Sequence, residues 1–130
     1  MKEKGLESLV AWKQAIQFAV RVHKEVVPQI PESGAWVMGR QLRRSAQSIP
    51  ANIAEAFGRF YYQDGIRHCC IARGSLEETR SHLYLARELG YIRGKTYAEF
   101  NQEIDLLRRM LSGYIAYLRR SRRGNQEEKA

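Results

Sequence analysis

Apolar residues recur along this chain at the spacing that lines one face of an α-helix, and they do so in four separate runs. Leu9, Trp12, Ala15, Ile16, Ala19, Val22 and Val26 follow the i, i+3, i+4, i+7 pattern and predict a first helix from about Leu9 to Val26. Pro28 stops it, and Pro31-Glu32-Ser33-Gly34 makes the turn. Met38, Leu42, Ala46, Ile49, Ile53, Phe57 and Phe60 predict a second helix from about Ala35 to Phe60. Pro50 falls inside this stripe and offers no N–H to the carbonyl of Ala46, so a kink is expected there and not a break.

The third run, from about Tyr62 to Leu89, carries its stripe on Cys69, Ala72, Leu76, Thr79, Leu83 and Ala86 and meets a natural terminator at Gly90. Small residues within it allow a neighbouring helix to come close. After the turn Tyr91–Gly94 a fourth run begins near Lys95 or Thr96. There Tyr97, Phe100, Ile104, Leu107, Leu111, Tyr114 and Leu118 alternate steps of three and four. No strand pattern competes. Four amphipathic helices with short connections predict an all-α, antiparallel up-down-up-down four-helix bundle over residues 9–120. Residues 1–8 form an arm and 121–130 a polar tail, with Arg122–Ala130 expected to fray.

Length and composition agree: 130 residues make one ordinary domain, and the 44% apolar content is that of a folded chain. Met1–Glu7 is charged and no apolar stretch approaches the ~18 residues of a membrane span, so a cytoplasmic protein is expected. Cys69 and Cys70 are adjacent on a helix, where neighbouring side chains diverge, and are read as reduced thiols.

Charge changes the picture further. Twenty-two Lys and Arg stand against 14 Asp and Glu, a formal charge of +8. Such an excess suits a polyanionic partner, nucleic acid before a membrane surface, although solubility alone also accounts for it. The excess is uneven. Arg40, Arg43, Arg44 and Arg59 against Glu55 leave the second helix at +3, and the third is neutral. The fourth, counted from Lys95 to Arg123, stands at +4.

Arg40, Arg43 and Arg44 share one helix face, either to grip successive phosphates or as a solvated, ion-paired face. Arg119, Arg120, Arg122 and Arg123 exceed what a helix C-terminus needs for its dipole and point to a nucleic-acid or protein contact. Arg108 and Arg109 extend the basic character of the fourth helix. Arg73, Arg80 and Arg87 lie seven apart beside the core stripe and fit a helix or subunit boundary better, with Glu77 spaced to pair with Arg73 and Arg80.

Candidate chemistry is sparse. His23, His68 and His82 match no metal-binding spacing, and consecutive His68, Cys69 and Cys70 fan out by ~100° each and cannot converge on one ion. No nucleotide-binding motif or catalytic triad is present, so neither an enzyme nor a cofactor is expected. Ser48, Asn52, Glu55 and Arg59 form one polar line across Pro50. It serves as a recognition strip or, better, as a hydrogen-bonded network (Ser48, Asn52, Glu55) pinning the second helix to its neighbours.

That same segment, from Gln41 through Ser48-Ile49-Pro50-Ala51-Asn52-Ile53-Ala54-Glu55 to Arg59, resembles a signature of the four-helix bundle proteins encoded in intervening sequences of bacterial large-subunit ribosomal RNA genes. Gly74–Thr79, Leu83–Ile92 and the opening Leu9–Ala15 are similar to other parts of that family, and the resemblance spans about residues 9–118. Ala56 stands where the family often has glycine, and Tyr61-Tyr62 where small polar capping residues are usual. The same fold family includes the accessory variability proteins of diversity-generating retroelements. The resemblance therefore implies a basic homopentameric barrel that binds RNA or DNA and a reverse transcriptase, with no catalytic residues. Two readings follow: a nucleic-acid-binding accessory protein, or an adaptor whose basic face meets an acidic protein surface.

Overall fold

Four helices carry the chain: α1 (Val10–Arg21), α2 (Glu32–Gly58), α3 (Tyr62–Glu88) and α4 (Gly94–Ser121). The computed structural model describes residues 5–122 and 124, and among these there is no strand. Residues 1–4 of the expected arm, and residues 123 and 125–130 of the expected tail, lie outside the described residues.

The first helix departs most from its expected course. A 3-10 turn at Leu6–Ser8 precedes α1, and beyond Arg21 the backbone widens into a π turn over Val22–Val26 before a last 3-10 turn at Val27–Gln29. Within the π turn the Val27 N–H reaches back to the carbonyl of Val22, and the next residue, Pro28, has no N–H to continue any ladder. Ala15, Ala19, Val22 and Val26 are buried as the spacing predicts, whereas Ile16 is only half-buried. Phe18, outside the expected stripe, is fully buried and meets Phe100 of α4 edge-on at 5.9 Å.

The second helix starts three residues before Ala35, because Pro31 in extended backbone forms its N-cap, and it runs unbroken through Pro50. Leu42, Ala46, Ile49 and Ile53 are buried. Beyond them the 3.6-residue period brings Ala56 into the core; Phe57 is half-buried and Phe60, past the helix end, is exposed. The expected stripe of α3 is buried in full. Its end is a complete Schellman motif: Gly90, at φ 78°, donates to the Arg87 carbonyl and Tyr91 to that of Ala86, each at 2.9 Å. In α4 the expected seam holds for Phe100, Ile104, Leu107, Leu111 and Leu118, but Ile115 takes the buried position in place of half-buried Tyr114.

Contacts between helices follow a consistent order. Along α2, Ser45, Ser48 and Asn52 meet Thr79, Ser75 and His68 of α3, so partners descend as positions ascend. Arg80 of α3 binds Asp105 of α4, while Glu77 meets Arg108. On the far side Arg21 pairs with Glu103 and lies 4.5 Å over the Phe100 ring. Arg21 also hydrogen-bonds Glu25, which holds that carboxyl below its ordinary pKa.

Gly65 lets the helices close at one end of the bundle. A Cβ there would sit 3.2 Å from both the Ala56 carbonyl oxygen and a Leu118 methyl, whereas one on Gly74 would meet nothing within 4 Å. Gly74→Ala should therefore raise stability by about 0.5–1 kcal/mol through helix propensity. Gly65→Val should lower it by about 1–3 kcal/mol through overpacking. Urea unfolding at fixed protein concentration measures both.

Candidate nucleic-acid interface

The arginines expected to touch phosphate divide by what already neutralises them. Arg44 donates to Gln41 Oε1 at 2.9–3.0 Å and pairs with Glu78 of α3, whose carboxylate also lies 3.2 Å from His82 Nε2. Arg108 takes Glu77 at 3.1 Å, and Arg59 takes Glu55 at the same distance. Arg40 is exposed, Arg43 half-buried, and exposed Arg109 lines a shallow depression of about 400 Å³ with Asp105, Arg108 and Ser112. Arg119, Arg120 and Arg122 are exposed and have no ion pair among the described residues. Arg123 lies outside the described residues.

Those three arginines stand at one end of the bundle, where α4 finishes beside the α2–α3 turn. Tyr62, Gln63 and Ile66 from the first turns of α3 and Arg119 and Arg122 from the end of α4 line a cleft of about 460 Å³. Local geometry brings Arg122 there. Its backbone is left-handed, at φ 47°, and its N–H caps the helix on the Leu118 carbonyl at 3.1 Å. For a residue with a side chain that conformation costs roughly 1–2 kcal/mol. Gly124, at φ 88°, packs so closely on Tyr61 that a Cβ would collide with the ring. Tyr61 in turn meets Phe60 edge-on at 5.1 Å, and both rings are more than two-fifths exposed.

Arg59 belongs to this end of the molecule. It is the C-cap of α2, fifteen residues and so about 22 Å along the helix from Arg44. The basic positions of α2 thus form two separate groups. Tyr61, Tyr62 and Gln63 escaped the sequence reading, where the tyrosines registered only as unusual capping residues. The available signal was an aromatic run directly after Arg59.

The polar line on α2 is turned inward. Ser48 Oγ and Ser75 Oγ are 2.7 Å apart, and Asn52 Nδ2 donates to the Ser48 carbonyl at 2.8 Å and to its hydroxyl at 3.0 Å. Asn52 Oδ1 lies 3.2 Å from His68 Nδ1, and Thr79 Oγ1 lies 2.8 Å from both Ser45 Oγ and the Ser75 carbonyl. Glu55 takes no part; it faces solvent with Arg59. Next to this seam burial pushes the Cys69 thiol up to about 12, with neighbouring Cys70 adding to the shift and Arg73 opposing it. Cys70 is exposed. Among the described residues no group of His, Cys, Asp and Glu is arranged to hold a metal.

Arg80 and Arg87 sit where α3 meets α4. Burial works against the charge on Arg80, but hydrogen bonds to Glu77 and Asp105, both at 2.9 Å, outweigh it and hold the guanidinium above its usual pKa. Asn101 completes the set. Arg87 lies over Tyr84 at 4.4 Å and over Tyr97 at 4.9 Å. Arg73 is half-buried and has no ion pair among the described residues. Between α1 and α2 runs a largely apolar groove of about 670 Å³, lined by residues including Trp12, Ile16, Val20, Pro50 and Ala54. No helix among the described residues is long and apolar enough to cross a membrane.

Residues 7–113 match the family model of the 23S rRNA-intervening sequence protein. Among solved structures, a protein of unknown function from the S23 ribosomal protein family of Bacteroides thetaiotaomicron is 30% identical. The match covers 82% of this chain and 96% of that one, with a TM-score of 0.76. No curated protein matches.

The two thiols should separate cleanly in a labelling experiment. With a pKa of about 12, Cys69 is thiolate at only roughly 10⁻⁴ of molecules at pH 8, and it is also buried. Native protein should titrate one thiol per chain with a maleimide and two after denaturation. Cys70→Ser should abolish the native reaction.

Proposed function

The chain belongs to the 23S rRNA-intervening sequence protein family, and we propose that it works without catalysis, as an oligomeric accessory protein that binds nucleic acid. The observation that carries this reading is the group of exposed arginines, Arg119, Arg120 and Arg122, with no carboxylate paired to them among the described residues. Unneutralised guanidinium groups of this kind grip phosphates without reading sequence. The paired arginines, Arg44, Arg59 and Arg108, add to the field but must exchange a carboxylate for a phosphate before they bind.

In this reading the bundle is antiparallel, up-down-up-down, and assembles into a homo-oligomer, a pentamer. Ile71 and Leu85 on the outer face of α3, and Leu89 at its C-cap, support assembly, each about half exposed. Five copies multiply the positive field and place several basic ends in reach of one polyanion. The apolar groove between α1 and α2 favours a second activity alongside the first, the docking of a protein partner such as a reverse transcriptase.

Binding of a single-stranded RNA to the full chain, measured against salt with the oligomeric mass determined in parallel, tests the proposal. The affinity should fall steeply with salt, and the mass should be five times that of the chain. Arg119→Gln, Arg120→Gln and Arg122→Gln combined should flatten the log–log salt slope by about 2, from ~0.7 per lost phosphate contact. A protein that binds neither RNA nor DNA at low salt would refute this function.

A further inference from the structure

We propose that the cleft between the start of α3 and the end of α4 receives one unpaired nucleotide of a single-stranded nucleic acid, its base against Tyr62 and its phosphates on Arg119 and Arg122. This deepens the nucleic-acid-binding reading and rests on it. The lining joins one aromatic ring, one aliphatic side chain, one carboxamide and two guanidinium groups. These correspond part for part to a nucleotide: apolar faces for a flat base, Gln63 for its polar edge, and cations for the phosphates on either side.

Three further observations favour this occupant. Arg119 and Arg122 have no ion pair among the described residues, so a phosphate displaces no carboxylate. Arg122 is the one residue other than glycine at positive φ among the described residues, and that turn of the backbone brings it into the cleft lining. Phe60 and Tyr61 directly precede Tyr62, meet edge-on at 5.1 Å and are both substantially exposed, which adds aromatic surface at this end of the molecule for a neighbouring base. A duplex hides its base faces and uses the arginines alone, so the aromatic lining distinguishes single strands from duplexes.

The full-length protein is titrated into a short single-stranded RNA carrying 2-aminopurine, whose fluorescence is quenched on stacking, and into a duplex of equal length. Tyr62→Leu keeps apolar packing against the core but removes the ring, while Tyr62→Phe retains it. The expected result is quenching by wild type and Tyr62→Phe, lost in Tyr62→Leu with about tenfold weaker single-strand binding and unchanged duplex binding. Full quenching and wild-type affinity in Tyr62→Leu would overturn the cleft assignment while leaving salt-dependent binding, and so the proposed function, standing. Absence of binding by the wild type to any nucleic acid would remove both. Capture of a poly-glutamate peptide in place of RNA, lost in Tyr62→Leu, would reassign the cleft to an acidic protein segment and overturn the proposal as well.

Discussion

The close approach of α2 to α3 is the constraint on which the other contacts rest. Their shared boundary includes Ser45, Ser48, Ala56, Gly65, Ser75 and Thr79, and such small side chains bring the two backbones near enough for hydroxyls to bond across. The seam from Ser45 to His68 depends on that spacing, since a buried polar group left without its partner costs about 1–3 kcal/mol. No buried side-chain nitrogen or oxygen is left unpaired among the described residues. A Cβ on Gly65 would also meet Leu118, so the same closeness lets the end of α4 pack beside the start of α3, where Arg119 and Arg122 line a cleft with Tyr62.

Acidic residues of α3 explain the final distribution of charge. Glu77 and Glu78 sit near its middle, between two basic helices, and each reaches a guanidinium on a neighbour, Arg108 of α4 and Arg44 of α2. The excess counted along α2 and α4 is thereby muted at the bundle's waist. It persists at the end, where the one acid of α3 before Glu77, Asp64, is taken by Arg67 at 2.8 Å and Arg119, Arg120 and Arg122 have no ion pair among the described residues. A net charge summed over a helix hides this gradient; the pairing of individual residues reveals it.

The helical plan was legible because burial follows a period, and in α3 every residue of the expected stripe is buried, with Gly65 and Ser75 buried beside it. Elsewhere two causes blurred the pattern. In α1 the apolar residues exceed what one face requires, because Trp12, Ile16 and Val20 line a groove outside the core; Phe18 could not be told from them by spacing. In α4 a strict alternation of three and four averages about 3.5 residues and lags the 3.6-residue period, so Tyr114 was favoured where Ile115 is buried; in α2 the expected stripe stepped four from Ile53 to Phe57, where a step of three reaches buried Ala56. The arginines of the candidate site were visible individually. Their company was not, since Tyr62 and Arg119 are neighbours through the fold and not along the chain.

The α2–α3 seam also implies an order of assembly. Across it the partners Asn52 and His68 are 16 residues apart in sequence, Ser48 and Ser75 are 27 apart, and Ser45 and Thr79 are 34 apart. Each enlarged loop carries a greater entropic cost of closure, so the contacts nearest the turn at Arg59–Tyr61 are the least costly to form, and every contact made shortens the loop the next must close. The aromatic turn beside the basic cleft is thus the part of the hairpin whose flanking contacts close the shortest loops.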